Sequence, residues 1–386
     1  MEVLVLGPDV FVLLAALVLG AAYVLRGLTK QPLRIRLEEI WVYPIKSCRG
    51  IKVTSAKLDS QTGLEHDRRW MVVDDNGAFV SQRRAPKLAL VVPKLVLENG
   101  ALVGLEISAP GMPALRLQRG TAAVGVQVRC WTDRVGAVDE GDAAAKWFAK
   151  YCDMAGLRLV QIAPRDDAKQ RACDSDYAPK GVTTGFSDGF PILVASSASL
   201  AELNAKLAAN KQPPVPMDRF RPNLILSAEK GAAQDLKPFA EDHWQQAAVG
   251  GTKLRICKPC ARCKMPTIDQ ATGVASGADS STDDSAGDEG GGPRRGAEPT
   301  ATMSQFRSGK HLGYQKDWHS EVFFGQCVRQ SSRLFALPTG PRAGTRTAAR
   351  TAPPLPSATP SCRSARRRAS SVRAMNVNLQ SLTEKK

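Results

Sequence analysis

The sequence predicts a β-rich α+β protein with an N-terminal transmembrane helix. Three observations lead there. Short alternating apolar runs recur along the chain, separated by turn residues. Only two segments carry a clear helical period. One uncharged apolar run near the N-terminus is long enough to cross a bilayer.

Val10–Leu25 reads VFVLLAALVLGAAYVL and carries no charge. Sixteen helical residues span about 24 Å, and the wider zone from Val3 spans about 35 Å, against about 30 Å of hydrocarbon. No Lys or Arg precedes the run, so a cleaved signal peptide is disfavoured. Arg26, Lys30, Arg34 and Arg36 follow it. That asymmetry predicts an uncleaved anchor over residues 1–30, with the body facing the cytosol.

Strands are expected at Leu33–Val42, Ile51–Leu58, Trp70–Val73, Leu88–Val92, Ala101–Ile107 and Leu115–Gln118. Asp74-Asp75-Asn76-Gly77 is a hairpin signal between Val73 and Phe79. Ala143–Cys152 reads as a helix capped by Asp142, and Ser197–Ala209 as a second with Leu200, Leu203 and Leu207 on one stripe. Leu224–Leu226 is a buried strand, and Leu254–Cys257 a strand running into a cysteine cluster. Gly273–Glu298 is Gly/Ser/Asp-rich and is expected to be a disordered insertion.

The formal charge is +16, but eleven Lys/Arg and one Glu fall in residues 331–386. That segment has a net +10 and leaves +6 for the other 330 residues, so a disordered basic tail is expected after a mildly basic body. Nothing in this pattern implies a specific nucleic-acid partner. The nine cysteines lack paired spacing and fit a reducing compartment. There is no G-x-G-x-x-G, no P-loop and no internal repeat.

Cys257-Lys258-Pro259-Cys260-Ala261-Arg262-Cys263 concentrates three thiols in seven residues. Such spacing suggests soft-metal or redox chemistry. Zinc would need a fourth ligand, with Cys327 or His319 available far along the chain. An iron–sulfur run would need a cysteine where Thr267 stands. A single-thiolate metal site is the third reading. Arg255, Arg262 and Lys264 should lower the pKa of Cys263.

Together with further motifs, this segment resembles the mitochondrial amidoxime-reducing component (mARC) group of MOSC-domain molybdenum proteins. The further motifs are Tyr43-Pro44-Ile45-Lys46-Ser47-Cys48, Asp67-Arg68-Arg69-Trp70, Ser187-Asp188-Gly189-Phe190-Pro191, Phe220-Arg221-Pro222-Asn223 and Phe324-Gly325-Gln326. They occur in the family's order. The resemblance implies a MOSC N-terminal, β-barrel-like region over 34–170 and a MOSC domain over 175–330, carrying the insertion at 273–298. It implies a molybdenum cofactor (Mo-molybdopterin), with Cys263 as its thiolate ligand and Asp269 as a catalytic proton donor or orienter. The cofactor pocket would take Lys46, Ser47, Arg68, Ser187, Asp188, Gly189, Phe190, Arg221, Asn223, Arg262 and Cys263. A pterin bearing a phosphate needs such cations and hydrogen-bonding groups.

The implied activity is reduction of amidoximes, hydroxamic acids and N-hydroxylated bases. Electrons would come from cytochrome b5 and NADH-cytochrome b5 reductase, at the mitochondrial outer membrane. The alternatives are a sulfurase-like carrier of sulfurated molybdenum cofactor and a non-catalytic membrane zinc-binding protein. In one respect the chain departs from the family, which adds a last strand pair after its F-G-Q motif. The residues after Arg329 show no such pattern.

Overall fold

The computed structural model describes residues 34–59, 63–118, 124–163, 171–276, 297–331, 370–373 and 376–380. The apolar segment expected to be the anchor lies outside the described residues, as do most of the insertion and most of the tail. Among the described residues no helix is long and apolar enough to cross a membrane.

An eight-stranded sheet organises the molecule. Its order is Leu224–Ala228, Ile192–Ser196, Phe323–Gln330, Thr252–Ala261, Gln246–Val249, Asn376–Gln380, Ile35–Val42 and Ile51–Val53, and Leu224–Ala228 also pairs with Ile35–Val42. Alternation on either side of a register shift between Leu37 and Glu39 sends Ile35, Leu37, Ile40 and Val42 inward, against Leu224, Leu226, Leu254 and Val328.

Two smaller sheets lie wholly within the N-terminal region. One joins Trp70–Val73, Arg158–Ile162, Asp133–Asp139 and Val124–Cys130, and the other joins Val92–Glu98, Ala101–Ser108 and Leu115–Gln118. Neither closes, so the barrel-like expectation is corrected to open sheets. Val92–Glu98 is an edge strand, and Pro93 has no N–H to offer a further partner. The strand expected at Leu88–Val92 is also corrected. Pro86 starts a short 3₁₀ turn, Pro86–Leu90, that buries Leu88, and the strand begins only at Val92.

Both expected helices form. Asp142–Cys152 buries Ala144, Trp147, Phe148, Tyr151 and Cys152 against the N-terminal core. Its cap is Gly141 rather than Asp142, which is the first helical residue and pairs with Arg158 at 3.0 Å. A carboxylate there still favours the helix dipole. Ser197–Ala209 is capped by Ser196, whose hydroxyl accepts from the Ser199 N–H at 3.1 Å.

The tail is not wholly without structure, which corrects the expectation of a featureless segment after residue 331. Asn376–Gln380 inserts between Gln246–Val249 and Ile35–Val42, and Ser370–Arg373 pairs with Ser55–Asp59. Val377 and Leu379 alternate with Asn376, Asn378 and Gln380, a period of two that the surrounding Arg/Ser/Ala composition obscures.

Gly325 shows how tightly the large sheet is packed. It adopts φ +76°, and an added Cβ would lie 2.7 Å from the Val194 carbonyl oxygen. Gly325→Ala should therefore destabilise the chain by about 1–3 kcal/mol from the strained dihedral alone. Urea unfolding would read this as a lowered midpoint with an unchanged slope.

Candidate cofactor site

Three sequence motifs meet because their backbones pair. Lys46 N–H bonds Trp70 O at 2.7 Å, and Arg68 N–H bonds Tyr43 O at 2.7 Å. Trp41 N–H bonds Asn223 O, and Asn223 N–H bonds Leu193 O, both at 2.8 Å. The Tyr43 hydroxyl then donates to Pro222 O at 3.1 Å. The result is a cleft of about 200 Å³.

All the expected pocket residues except Asp269 line this cleft. Lys46, Ser47 and Arg68 form one wall, Ser187–Phe190 with Arg221 and Asn223 another, and Arg262–Cys263 the third. Ser47, Arg68 and Arg221 hold left-handed backbone conformations at φ 68°, 44° and 54°. Each such non-glycine residue costs about 1–3 kcal/mol, and such strain clusters at functional sites.

The roles are not equal. Arg68 Nη1 donates to Asp67 at 2.6 Å and to Asn223 Oδ1 at 3.1 Å. Asn223 in turn accepts from Leu193 N–H and donates to Trp41 O and to Asp67. Its amide is fully committed, so Asn223 frames the cleft rather than facing a ligand. Asp67 ties the frame together by also accepting from Tyr43 N–H at 2.8 Å. Burial raises the Asp67 pKa, and Arg68 works against that rise. Lys46 is paired as well, donating to Asp188 at 2.6 Å and to Phe186 O at 2.9 Å. Desolvation in the cleft wall works to raise the pKa of the largely exposed Asp188, but Lys46 beside it holds the carboxyl well below the usual carboxylate range.

Four cleft groups are left open. Arg221 Nη2, Ser187 Oγ, Arg262 Nε and Trp131 Nε1 are buried and have no hydrogen-bond partner. Arg221 lies 4.3 Å over the Tyr43 ring, and burial lowers its pKa to about 10. Arg262 spends its other nitrogens on Phe220 O at 2.9 Å and Cys260 Sγ at 3.0 Å. Beside them, a Cβ on Gly189 would meet nothing within 4 Å. Unsatisfied buried donors are costly unless an acceptor occupies the site. An anionic, hydrogen-bonding cofactor fits these groups.

The surroundings of Cys263 and Asp269 differ from what their sequence neighbours suggest. The Cys263 thiol is pushed up by burial, which outweighs the Met265 N–H and Arg262. Asp269 is absent from the cleft lining. It accepts from the N–H groups of Ala271 and Thr272 at 2.8 and 2.9 Å, and from Arg219 at 2.8 Å. Although partial burial raises its pKa, the two turn amides and Arg219 lower it further than that. A carboxylate held ionised in a turn is a poor proton donor.

Sequence reasoning missed one wall. Phe79 and Trp131 pack with ring centroids 5.0 Å apart, and the Arg83 guanidinium sits 4.9 Å over Trp131. Met265 and Cys327 also line the cleft. Trp131 occupies the tight turn between Val124–Cys130 and Asp133–Asp139, two strands whose pairing was not foreseen. Arg171 was missed too. It bonds Asp133 at 2.8 Å and the carbonyls of Gly185, Ser187 and Asp188, bracing the Ser187–Phe190 segment from behind.

Comparison with known proteins bears on this arrangement. Residues 34–155 match the family described as "MOSC N-terminal beta barrel domain", and residues 182–330 match "MOSC domain". Fold and cleft together define a MOSC-domain protein, a class that binds molybdenum cofactor. Mitochondrial amidoxime reducing component 2 of Bos taurus is 31% identical over 62% of this chain and 68% of its own. Mitochondrial amidoxime-reducing component 1 of Mus musculus is 30% identical over 68% of this chain and 75% of its own. The molybdenum cofactor sulfurase of Anopheles gambiae is 29% identical over 74% of this chain, but only 35% of its own. The chain belongs to the MOSC-domain family that includes the mitochondrial amidoxime-reducing components.

Proposed function

We propose that the chain is a molybdenum-cofactor-dependent reductase of N-hydroxylated compounds: amidoximes, hydroxamic acids and N-hydroxylated bases. The observation that carries this reading is the set of unpartnered buried donors on Arg221, Ser187 and Arg262, facing a cleft that also presents Cys263. Arg221 and Arg262 would hold the anionic part of the cofactor, Ser187 would bond the pterin edge, and Cys263 would ligate the metal. When bound, the cofactor supplies the two-electron chemistry that converts an N–O bond and two protons into N–H and water.

The chain's own residues bind and orient. Because burial disfavours its thiolate, Cys263 gives up a proton when it takes a metal, so loading should release acid. Phe79 and Trp131 offer a planar apolar face to a flat amidine-like substrate, with Arg83 stacked behind it. Lys46 and Asp188 hold the cleft wall through their ion pair. Asp269 braces the 269–273 turn and is not among the cleft-lining residues.

The sulfurase-like reading remains a distinct outcome of the test, because 29% identity to a sulfurase is close to 31% identity to an amidoxime reducing component. The zinc reading is weaker. Among the described residues, no three His, Cys, Asp or Glu converge as a metal-ion set.

The test uses a chain without residues 1–30. These residues hold the apolar run proposed as an anchor in the mitochondrial outer membrane. The truncated chain should leave the membrane fraction and still reduce benzamidoxime with an artificial electron donor, since every proposed ligand lies at or after Lys46. With NADH alone it should be inactive, and cytochrome b5 with its reductase should restore turnover, faster at low salt. NADH-driven turnover by the isolated chain would contradict the partner-dependent mechanism. Membrane retention of the truncated chain would contradict the anchor.

A further inference from the structure

We propose that Cys260 and Cys327 form a hydroperoxide-reactive dithiol in the cleft wall, a modification site distinct from the Cys263 thiol. It depends on the thiols alone, not on the identity of the cofactor. The two residues lie on adjacent antiparallel strands. Lys258 pairs with Cys327 and Pro259 with Gln326, after which the register slips before Ala261 meets Phe323. Cys260 sits in that slip, where a bulge re-aims its side chain. Both cysteines line the cleft, and each thiol shifts the ionisation of the other.

The two thiols have different roles. The Cys327 thiol and the Arg262 guanidinium, 3.0 Å from Cys260 Sγ, favour thiolate at Cys260. They outweigh burial and hold its pKa below the usual thiol range. Cys327 is raised by Cys260 in turn and stays protonated. A low-pKa cysteine beside a protonated one matches an attacking and a resolving thiol. The third thiol of the run is excluded. Cys257 faces the Arg255 carbonyl at 3.6 Å, packs beside Cys173, and burial raises its pKa to about 11.

The steps balance. The Cys260 thiolate attacks one oxygen of a hydroperoxide, the O–O bond breaks, and hydroxide or alkoxide leaves with the electron pair, giving a sulfenic acid. Cys327 sulfur then attacks Cys260 sulfur. The S–O bond breaks, and the displaced hydroxyl leaves as water with the Cys327 proton. Two thiols and one peroxide give one disulfide. Arg262 then loses its thiolate acceptor while still holding Phe220 O, next to Arg221. Oxidation thus acts on the wall that bears the open donors.

The test treats the full purified chain with one equivalent of hydrogen peroxide, alkylates free thiols, and maps peptides without reductant, measuring molybdenum in the same samples. The expected product is a 2 Da loss linking the Cys260 and Cys327 peptides, formed at least tenfold faster than oxidation at buried Cys48 or Cys130. In Cys327→Ser the disulfide should vanish and Cys260 should instead take up dimedone as a trapped sulfenic acid. Cys327→Ala serves the same purpose should the serine variant misfold. A Cys260–Cys263 disulfide in the wild type would overturn the proposal, as would no preferential oxidation at Cys260. Either result leaves the cofactor reading to be judged by the metal content.

Discussion

Cys263→Ser is expected to abolish amidoxime reduction while the chain stays folded and the cleft keeps its shape. The side chain lines the cleft without serving the core, so exchanging sulfur for oxygen costs little packing. A hydroxyl is a harder ligand than a thiolate and changes the redox character of any metal bound there. The loss should exceed the roughly 10–100-fold typical of removing a group that merely orients a ligand. Turnover with benzamidoxime, normalised to molybdenum, is the measurement. Two controls have different signatures. Cys48→Ser buries a hydroxyl in the N-terminal core and should lower stability. Cys257→Ser changes a residue outside the cleft lining and should leave turnover nearly intact. Full activity in the Cys263 variant would remove the ligand assignment.

Arg221→Ala should lower molybdenum content and leave stability unchanged or improved. The Arg221 guanidinium is buried over Tyr43, its pKa is lowered to about 10, and one of its nitrogens has no partner. Removing an incompletely paired buried charge relieves desolvation cost in the empty chain. Removing a charge-assisted bond to a bound anion costs about 1.5–3 kcal/mol, or roughly 10–150-fold in cofactor affinity. Arg68→Ala should also lower molybdenum content but should cost stability too, because Arg68 is bonded to Asp67, Asn223 and the Arg221 carbonyl. Opposite stability changes with the same loss of metal would separate a ligand-facing arginine from a framing one. Unchanged molybdenum in both variants would place these arginines outside the cofactor's reach.

The site was more legible in the sequence than the fold around it. Lys46, Arg68, Ser187, Arg221 and Cys263 sit in short motifs whose residue types are set by local chemistry, and all five line one cleft. What the sequence concealed was which of them are spent. Asn223 looks like a free amide but bonds four protein groups, and Asp269 looks like an acid but anchors a turn. The commitment of Asn223 depends on partners more than a hundred positions away, such as Asp67, and that of Asp269 on two adjacent turn amides and on Arg219 from another segment. Trp131 and Phe79 carried no signal because one lies in a tight turn and the other in an isolated bridge, and only pairing across the N-terminal sheet brings them together. The strand Asn376–Gln380 was hidden by an arginine-rich neighbourhood whose composition argued against order. Cys327 stood in view beside the F-G-Q motif, yet its partner Cys260 lies on another strand.

Metal analysis of the purified full-length chain tests the central claim most directly. Expressed where molybdenum cofactor is made, it should carry close to one molybdenum per chain, with an equimolar pterin released on denaturation, and both should fall together in Arg221→Ala. Stoichiometric zinc without molybdenum or pterin, in a chain shown to be folded, would contradict the account.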